Sequence, residues 1–145
     1  MKIYIGTDHR GVELEKKLVE YLSSKDIEVI GTKLEHSDTD DYVDFAKEVC
    51  DNVVKDKGSI GILICRTGIG MSIAANKVKG VRCARVIDEY DAKMTRIDND
   101  ANVIALSSRI DIEKLKILLK VFLETPHNSE ERHDRRISKI DNYER

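Results

Sequence analysis

The sequence has little proline and little cysteine, and each shortage argues against particular structural features. One proline in 145 residues argues against disordered linkers. The three cysteines, Cys50, Cys65 and Cys83, are odd in number and form no CxxC pair, so neither a disulfide framework nor a zinc site is expected. The N-terminal stretch MKIYIGTDHRG lacks the apolar core of a secretory signal. Unpaired thiols without such a signal predict a reducing, cytoplasmic location.

Long apolar runs and a surplus of charge are also missing. No apolar run reaches the ~18 residues that a membrane-spanning helix needs. The formal net charge is -2 at pH 7, so we expect neither a nucleic-acid partner nor a membrane surface. Hydrophobic residues make up 41% and charged residues 36%, a balance typical of soluble globular proteins. We therefore predict a single domain over residues 1–145, with one sizeable core.

Short apolar runs alternate with amphipathic segments along the chain. Strands are predicted over residues 2–6, 27–32, 59–65, 81–87 and 102–108, and helices over 12–25, 42–55, 71–78, 88–98 and 111–124. The charged tail, residues 130–145, is predicted to be partly helical. The alternation predicts an α/β fold with a parallel sheet and helices on both faces. Ligands of such sheets bind beyond the carboxyl ends of the strands, so the loops that follow the strands are the candidate site.

The stretch LICRTGIGMSIAANK, residues 63–77, combines a strand end, a cysteine and a glycine turn. Gly68 and Gly70 would let the backbone approach a ligand and point N–H groups at it, and a helix start adds positive potential. The thiolate form of Cys65 would be favoured there. The alternative is an ordinary buried cysteine at the end of a strand. Ile73 replaces the last glycine of GxGxxG and no Walker lysine follows, so a dinucleotide or nucleoside-triphosphate site is not supported.

Polar residues follow the first predicted strand as well. Asp8 and His9 would direct a carboxylate and an imidazole into the crevice at the edge of the sheet. The alternative is that Thr7 or Asp8 caps the next helix and that His9 is solvated.

Arginines in the last third of the chain suit a phosphate dianion. Arg109 follows the fifth predicted strand, and Arg132 and Arg136 lie four residues apart, on one helical face. The guanidinium fork matches the oxygens of a phosphate. The alternative is a solvated turn in which three acidic residues of the same segment balance the arginines. The thiol beside the N–H groups of the glycine turn, the pair Asp8 and His9, and the arginines together predict a phosphorylated substrate that develops an oxyanion.

Five sequence blocks resemble the ribose-5-phosphate isomerase B family, which also holds the galactose-6-phosphate isomerase subunits. The blocks are IGTDHRG, DDYVDFA, GILICRTGIGMSIAANKVKGVRCA, NDANVIALSSR and RHDRRISKI, and they span nearly the whole chain. The block from Gly61 to Lys77 is the most specific. The resemblance implies an aldose–ketose isomerase with a Rossmann-like, doubly wound α/β/α sandwich around a five-stranded sheet, working without metal or organic cofactor. Its simplest substrates would be ribose 5-phosphate and ribulose 5-phosphate.

The resemblance also implies roles for individual residues. Cys65 would be the base that moves a proton between C1 and C2, Thr67 would help proton traffic at the oxygens, and Asp98 would stand at the ring-opening position. The expected substrate-binding residues are Asp8, His9, Tyr42, Gly68, Ile69, Gly70, Met71, Ser72, Asn99, Arg109, Arg132 and Arg136. The family is dimeric with shared sites, so we expect a homodimer or tetramer. The tail, residues 130–145, would pack on the neighbouring subunit, and Asn99 would reach the neighbour's Cys65.

Two positions depart from the family pattern. Asp98 stands where the family has a histidine that opens the furanose ring, and Arg66 stands where it has glycine. A carboxyl group is a poor proton donor at neutral pH, so we expect Asp98 to weaken enzymic ring opening. Three alternatives are open. Asp98 could act as a base while another group donates the proton, or the ring could open spontaneously. The substrate could also be another pentose or hexose phosphate. A non-catalytic sugar-phosphate-binding subunit is the alternative from a different class. Arg66 would serve another phosphate position or an interface.

Overall fold

Strands and helices alternate along the chain in the predicted order. The structure, a computed structural model, describes residues 1–143. The strands are β1 (Lys2–Thr7), β2 (Glu28–Ile30), β3 (Ile60–Cys65), β4 (Cys83–Arg85) and β5 (Val103–Ser107). The α-helices are α1 (Val12–Ser23), α2 (Tyr42–Lys55), α3 (Ile69–Ala75), α4 (Glu89–Asn99), α5 (Ile112–Glu124) and α6 (Glu131–Asp141). Of the helices in this range, none combines the length and apolarity that crossing a membrane requires.

All five strands run parallel in one sheet, in the order β2-β1-β3-β5-β4. Helices α1, α4 and α5 pack on one face, in a core that includes Leu18, Ala92 and Leu118. Helices α2 and α3 pack on the other face, in a core that includes Phe45 and Met71. Every residue of the central strand β3 is buried, which explains its continuous apolar sequence. The predicted three-layer α/β fold is confirmed.

Strands β2 and β4 are shorter than predicted because they form the two edges of the sheet. Each spans three residues, within the longer predicted ranges 27–32 and 81–87. An edge strand pairs on one side only, so fewer of its residues are held in the sheet. Helix α3 begins at Ile69 rather than at residue 71, because the left-handed backbone of Gly68 ends the preceding loop there. A short 3-10 helix, His9–Gly11, precedes α1 and was not predicted.

The carboxyl ends of four strands meet along one edge of the sheet. Thr7, Cys65, Arg85 and Ser107 are the last residues of β1, β3, β4 and β5. From the neighbouring strands β1 and β3, the sheet continues outward to β2 on one side and to β5 and β4 on the other. The crevice between β1 and β3 is therefore the topological switch point, where sheets of this kind bind ligands.

Helix α4 runs back from the carboxyl edge of the sheet to its amino edge. It starts directly after β4 and ends shortly before β5 begins at Val103. Helix α6 packs on α4, and Arg82 Nη1 lies 2.9 Å from Asp141 Oδ1 at the far end of α6. Part of the tail thus contacts its own chain, while its packing on a neighbouring subunit stays a prediction.

Candidate active site

Cys65 ends β3 and opens the loop that leads to α3. The residue is buried, and its Sγ accepts the backbone N–H of Gly68 at 3.2 Å. Gly68 has a φ of +78°, a left-handed conformation that glycine adopts without strain. A Cβ at this position would lie 3.1 Å from the carbonyl carbon of Leu106. The loop therefore folds back on the thiol and holds the sulfur at the carboxyl edge.

Within residues 1–143, two backbone N–H groups in the first turn of α3 have no acceptor. The N–H of Ile69 donates to Thr67 Oγ1 at 3.1 Å, and that of Ser72 donates to a loop carbonyl at 3.0 Å. The N–H groups of Gly70 and Met71 have no hydrogen-bond partner among the described residues. The Met71 side chain is fully buried, so only its backbone is available to a ligand. Two adjacent free donors near a thiol form a place for negatively charged oxygen.

Tyr42, the first residue of α2, lies directly over the loop. A Cβ added to Gly70 would be only 2.5 Å from the Tyr42 hydroxyl oxygen. Glycine at position 70 therefore lets Tyr42 pack closely on the backbone, and the tyrosine ring covers this part of the candidate site.

Groups from β4 and β5 brace the loop from the other side. Ser107 Oγ donates to the carbonyl oxygen of Arg66 at 2.7 Å and accepts the backbone N–H of Arg109 at 3.2 Å. Arg85 Nε donates to the carbonyl oxygen of Thr67 at 2.9 Å. Sequence reasoning misses Arg85 and Ser107 as site residues because no motif marks them and only the strand register brings them to the loop. The exposed side chains of Arg66 and Arg109 begin at this same edge.

His9 has a carboxylate partner, but the partner is Asp40 and not the adjacent Asp8. Asp8 Oδ1 accepts the backbone N–H of Arg10 at 3.1 Å and caps the 3-10 helix, which is the alternative that the sequence left open. His9 Nδ1 lies 2.6 Å from Asp40 Oδ1. With Nδ1 held in this way, Nε2 is the ring nitrogen left for a ligand.

Asp40 is the centre of a small hydrogen-bonded cluster that sequence reasoning misses. Its second carboxylate oxygen lies 3.0 Å from His36 Nδ1, and the His36 ring stacks on Phe45 at 4.7 Å. Burial alone would raise the pKa of Asp40. Hydrogen bonds from His9, His36 and the Ser37 backbone outweigh it, and they hold that pKa well below its usual range. Asp40 is therefore ionised at neutral pH and fixes both imidazoles.

Asp98 and Asn99 lie far from this loop, in the last turn of α4. His133, a buried residue of α6, places its Nε2 3.4 Å from Asp98 Oδ1. Arg132 and Arg136 are exposed residues of the same helix. These residues therefore form a second group, built on α4 and α6.

Two acidic residues of the tail pair with tail arginines, whereas Asp134, the third acidic residue of the alternative interpretation, contacts His127. Arg132 Nε donates to Glu130 at 3.0 Å, and Arg135 Nη1 donates to Glu131 at 2.7 Å. The guanidinium of Arg136 has no ion-pair or hydrogen-bond partner within residues 1–143. Arg136 is thus the tail arginine most available to an added anion.

Within one chain, the two groups cannot meet. Cys65 pairs with Ser107 at the carboxyl edge of the sheet, whereas α4 ends near the amino edge, where Gly61 pairs with Val103. The 11 residues of α4 make a helix about 16 Å long, and it separates those edges. The loop group comprises Asp8, His9, Tyr42, Cys65, Thr67, Gly68, Ile69, Gly70, Met71, Ser72 and Arg109. The helix group comprises Asp98, Asn99, Arg132 and Arg136.

The other two cysteines do not reach the carboxyl edge. Burial raises the pKa of the Cys50 thiol to about 12 and raises that of Cys83 as well, so both are poor bases at neutral pH. In the described part of the chain, no group of three or more His, Cys, Asp or Glu side chains is placed to hold a metal ion.

Comparison with known proteins points to one family. The family model described as Ribose/Galactose Isomerase matches residues 3–140. A probable ribose-5-phosphate isomerase B of Mycoplasma genitalium is 44% identical over 147 residues, which cover 99% of this chain and 95% of that protein.

Solved structures agree in both fold and sequence. The type B ribose 5-phosphate isomerase of Trypanosoma cruzi superposes with a TM-score of 0.91 at 40% identity, covering 97% of this chain and 96% of that one. Ribose-5-phosphate isomerase B of Mycoplasma genitalium, crystallised with bound ribulose-5-phosphate, has a TM-score of 0.91 at 42% identity, covering 98% and 95%.

Proposed function

Since the chain belongs to the ribose/galactose isomerase family, we propose that it interconverts ribose 5-phosphate and ribulose 5-phosphate through an enediolate, without metal or organic cofactor. The protein is an aldose–ketose isomerase of the ribose-5-phosphate isomerase type. The observation that carries the proposal is the Cys65 thiol on a loop with two free N–H donors.

Cys65 is the base of the proposed reaction. Its thiolate removes the proton from C2 of the open-chain aldose, and the electron pair forms the C1–C2 double bond while the carbonyl oxygen O1 becomes negative. The thiol then returns the proton to C1, and the electron pair on O2 forms the ketone. The Thr67 hydroxyl carries the remaining proton between O2 and O1. The N–H bond that Gly68 donates to Sγ fixes the position of the sulfur at the start of the loop.

The N–H groups of Gly70 and Met71 are the proposed donors to the enediolate. They are fixed by the start of α3 and need no rearrangement as negative charge develops, which is the most effective form of electrostatic stabilisation. Tyr42 packs over Gly70 and limits the access of water to this position.

Phosphate binding is assigned to His9 and Arg109 of the loop group and to Arg132 and Arg136 of the helix group. Because the two groups lie at opposite ends of one chain, a complete site requires the helix group of a second copy. We therefore propose a homodimer, or a tetramer built from such dimers, with each site shared between two copies. The sharing brings Asp98 and Asn99 to the sugar that Cys65 deprotonates.

The proposal is tested with a panel of aldose and ketose phosphates, with the products identified by NMR. Ribose 5-phosphate should be converted to ribulose 5-phosphate, and Cys65→Ala should slow turnover by about a thousandfold or more while substrate still binds. Cys50→Ala, which removes a buried thiol outside the site, is the matched control and should keep the activity. Turnover of Cys65→Ala within tenfold of the wild type would exclude the assigned base. A clear preference for another sugar phosphate would exclude the assigned substrate.

A further inference from the structure

The open-chain mechanism leaves ring opening without an assigned group. Ribose 5-phosphate is a furanose, and its C1–O4 bond must break before Cys65 can act. Opening moves one proton away from O1 and delivers one to O4. An isolated carboxylate at position 98 would accept the first proton, but nothing would orient it or favour release of the proton to O4.

The structure gives Asp98 a partner for this task. His133 Nε2 lies 3.4 Å from Asp98 Oδ1, and the two residues are 35 positions apart on different helices. His133 exposes 6% of its surface, whereas the Asp98 side chain is 41% exposed. The imidazole is therefore buried behind the carboxylate, and Asp98 is the member of the pair that a sugar can touch.

His133 lies between two oxygen acceptors. Its Nδ1 is 3.2 Å from the carbonyl oxygen of Asn128, and its Nε2 faces a carboxylate oxygen of Asp98. When Nε2 carries the hydrogen, the ring can donate it to Asp98. The soft terminal torsion of Asp98 can shorten the contact to hydrogen-bonding distance.

We propose that Asp98 and His133 together form the ring-opening group, with Asp98 as the catalytic residue and His133 as its positioning residue. The inference rests on the function proposed above and replaces the expectation that Asp98 weakens ring opening. Asp98 Oδ2 accepts the proton of O1–H as the C1–O4 bond breaks, and its electron pair goes to O4 while O1 becomes the carbonyl oxygen. Asp98 then gives the same proton to O4. Since O1 and O4 are both bonded to C1, one carboxylate oxygen reaches both.

His133 contributes from behind the carboxylate. Its Nε2–H holds Oδ1 and so aims Oδ2 at the sugar. The family pattern has a histidine at position 98 itself. In this protein, His133 places an imidazole beside the carboxylate at that position.

Two measurements separate ring opening from chemistry at C1 and C2. The first is turnover of ribose 5-phosphate. The second is exchange of deuterium from D2O into C1 of ribulose 5-phosphate, followed by NMR. This ketose cannot close to a furanose because its C5 oxygen carries the phosphate.

Asp98→Asn keeps the shape of the side chain and removes the proton acceptor. It should lower turnover of ribose 5-phosphate by roughly a hundredfold and change deuterium exchange into ribulose 5-phosphate by less than about threefold.

His133→Gln removes the buried ring that lies between Asn128 and Asp98. It should lower the ratio of ribose 5-phosphate turnover to deuterium exchange by about tenfold. Arg135→Gln is the control, since exposed Arg135 lies on the same helix as His133 but pairs with Glu131 and not with Asp98. It should move both rates by one common factor. Asp98→Asn lowering both rates equally, or leaving ribose 5-phosphate turnover unchanged, would overturn the inference. A wild-type protein without activity in either measurement would instead overturn the proposed function, and the inference with it.

Discussion

At the level of single residues, Asp40 connects the candidate site to a part of the chain that carries no motif. Four hydrogen bonds converge on its carboxylate, from the His9 ring and backbone, the His36 ring and the Ser37 backbone. They keep Asp40 ionised, and the ionised carboxylate fixes the His9 ring. If His9 binds phosphate through Nε2, Asp40 controls affinity without touching the substrate.

Asp40→Asn should therefore raise the KM for ribose 5-phosphate by about tenfold and leave kcat within about twofold, because the phosphate is remote from the reacting carbons. Steady-state kinetics on both parameters checks this. Asp41→Asn is the control, since the neighbouring Asp41 side chain makes no capping hydrogen bond. A fall in kcat at constant KM would place Asp40 in the chemistry. An unchanged KM would remove His9 from phosphate binding.

Site residues that lie together in one contiguous stretch of the sequence can be predicted from it. Cys65 and the glycines that follow it form one block, so their shared loop is read directly from the sequence. The contact between His9 and Asp40 spans 31 residues, and the contact between Asp98 and His133 joins two helices. No spacing rule links such pairs. Only the packing of the loops and helices brings them together.

At the level of elements, α6 is held to the rest of the chain by a histidine that precedes it. His127 Nδ1 lies 2.8 Å from the carbonyl oxygen of Ile97 in α4, and its Nε2 lies 3.0 Å from Asp134 in α6. The carboxylate of Asp134, followed by backbone carbonyls, raises the pKa of His127 against the opposing effect of burial. Protonated His127 thus links the helix that carries Arg136 to the helix that carries Asp98.

This linkage predicts a pH dependence of stability. A histidine whose pKa is raised on folding stabilises the protein fully below its unfolded pKa of about 6.5, and the contribution is lost as pH rises through the higher folded value. At pH 6, His127→Gln should lower the free energy of unfolding by about 1 kcal/mol, and the difference from wild type should shrink by pH 9. Urea unfolding of both proteins measures it. A difference that stays constant or grows with pH would contradict the assigned ion pair.

Element order is predictable here because apolar strands alternate with amphipathic helices. The length of an element is harder to predict at the edges of the sheet, where β2 and β4 have only three residues each. The strand order is not read from the sequence, because apolar periodicity does not say which strands are neighbours. The register that brings Ser107 beside Cys65, and hence the brace on the loop, follows from that order.

At the level of the whole molecule, the loop group and the helix group occupy opposite ends of one sheet. The resemblance predicts a site shared between copies, and the course of α4 supplies a physical reason for it. Each group is built on elements of its own chain and needs no partner to take shape. Two copies related by a two-fold axis would complete two identical sites at once.

The central claim is that each active site joins Cys65 of one copy to the tail arginines of another. The most direct test is complementation between two inactive variants, Cys65→Ala and the double substitution Arg132→Ala, Arg136→Ala. Co-expression with two different affinity tags, followed by purification on both, isolates the mixed dimer. One of its two sites then carries every substitution, and the other carries none.

The mixed dimer should recover about half of the wild-type turnover of ribose 5-phosphate, measured below the wild-type KM, while each parent homodimer stays nearly inactive. A mixed dimer no more active than its parents would contradict the shared site, because each chain would then hold all of its catalytic residues itself.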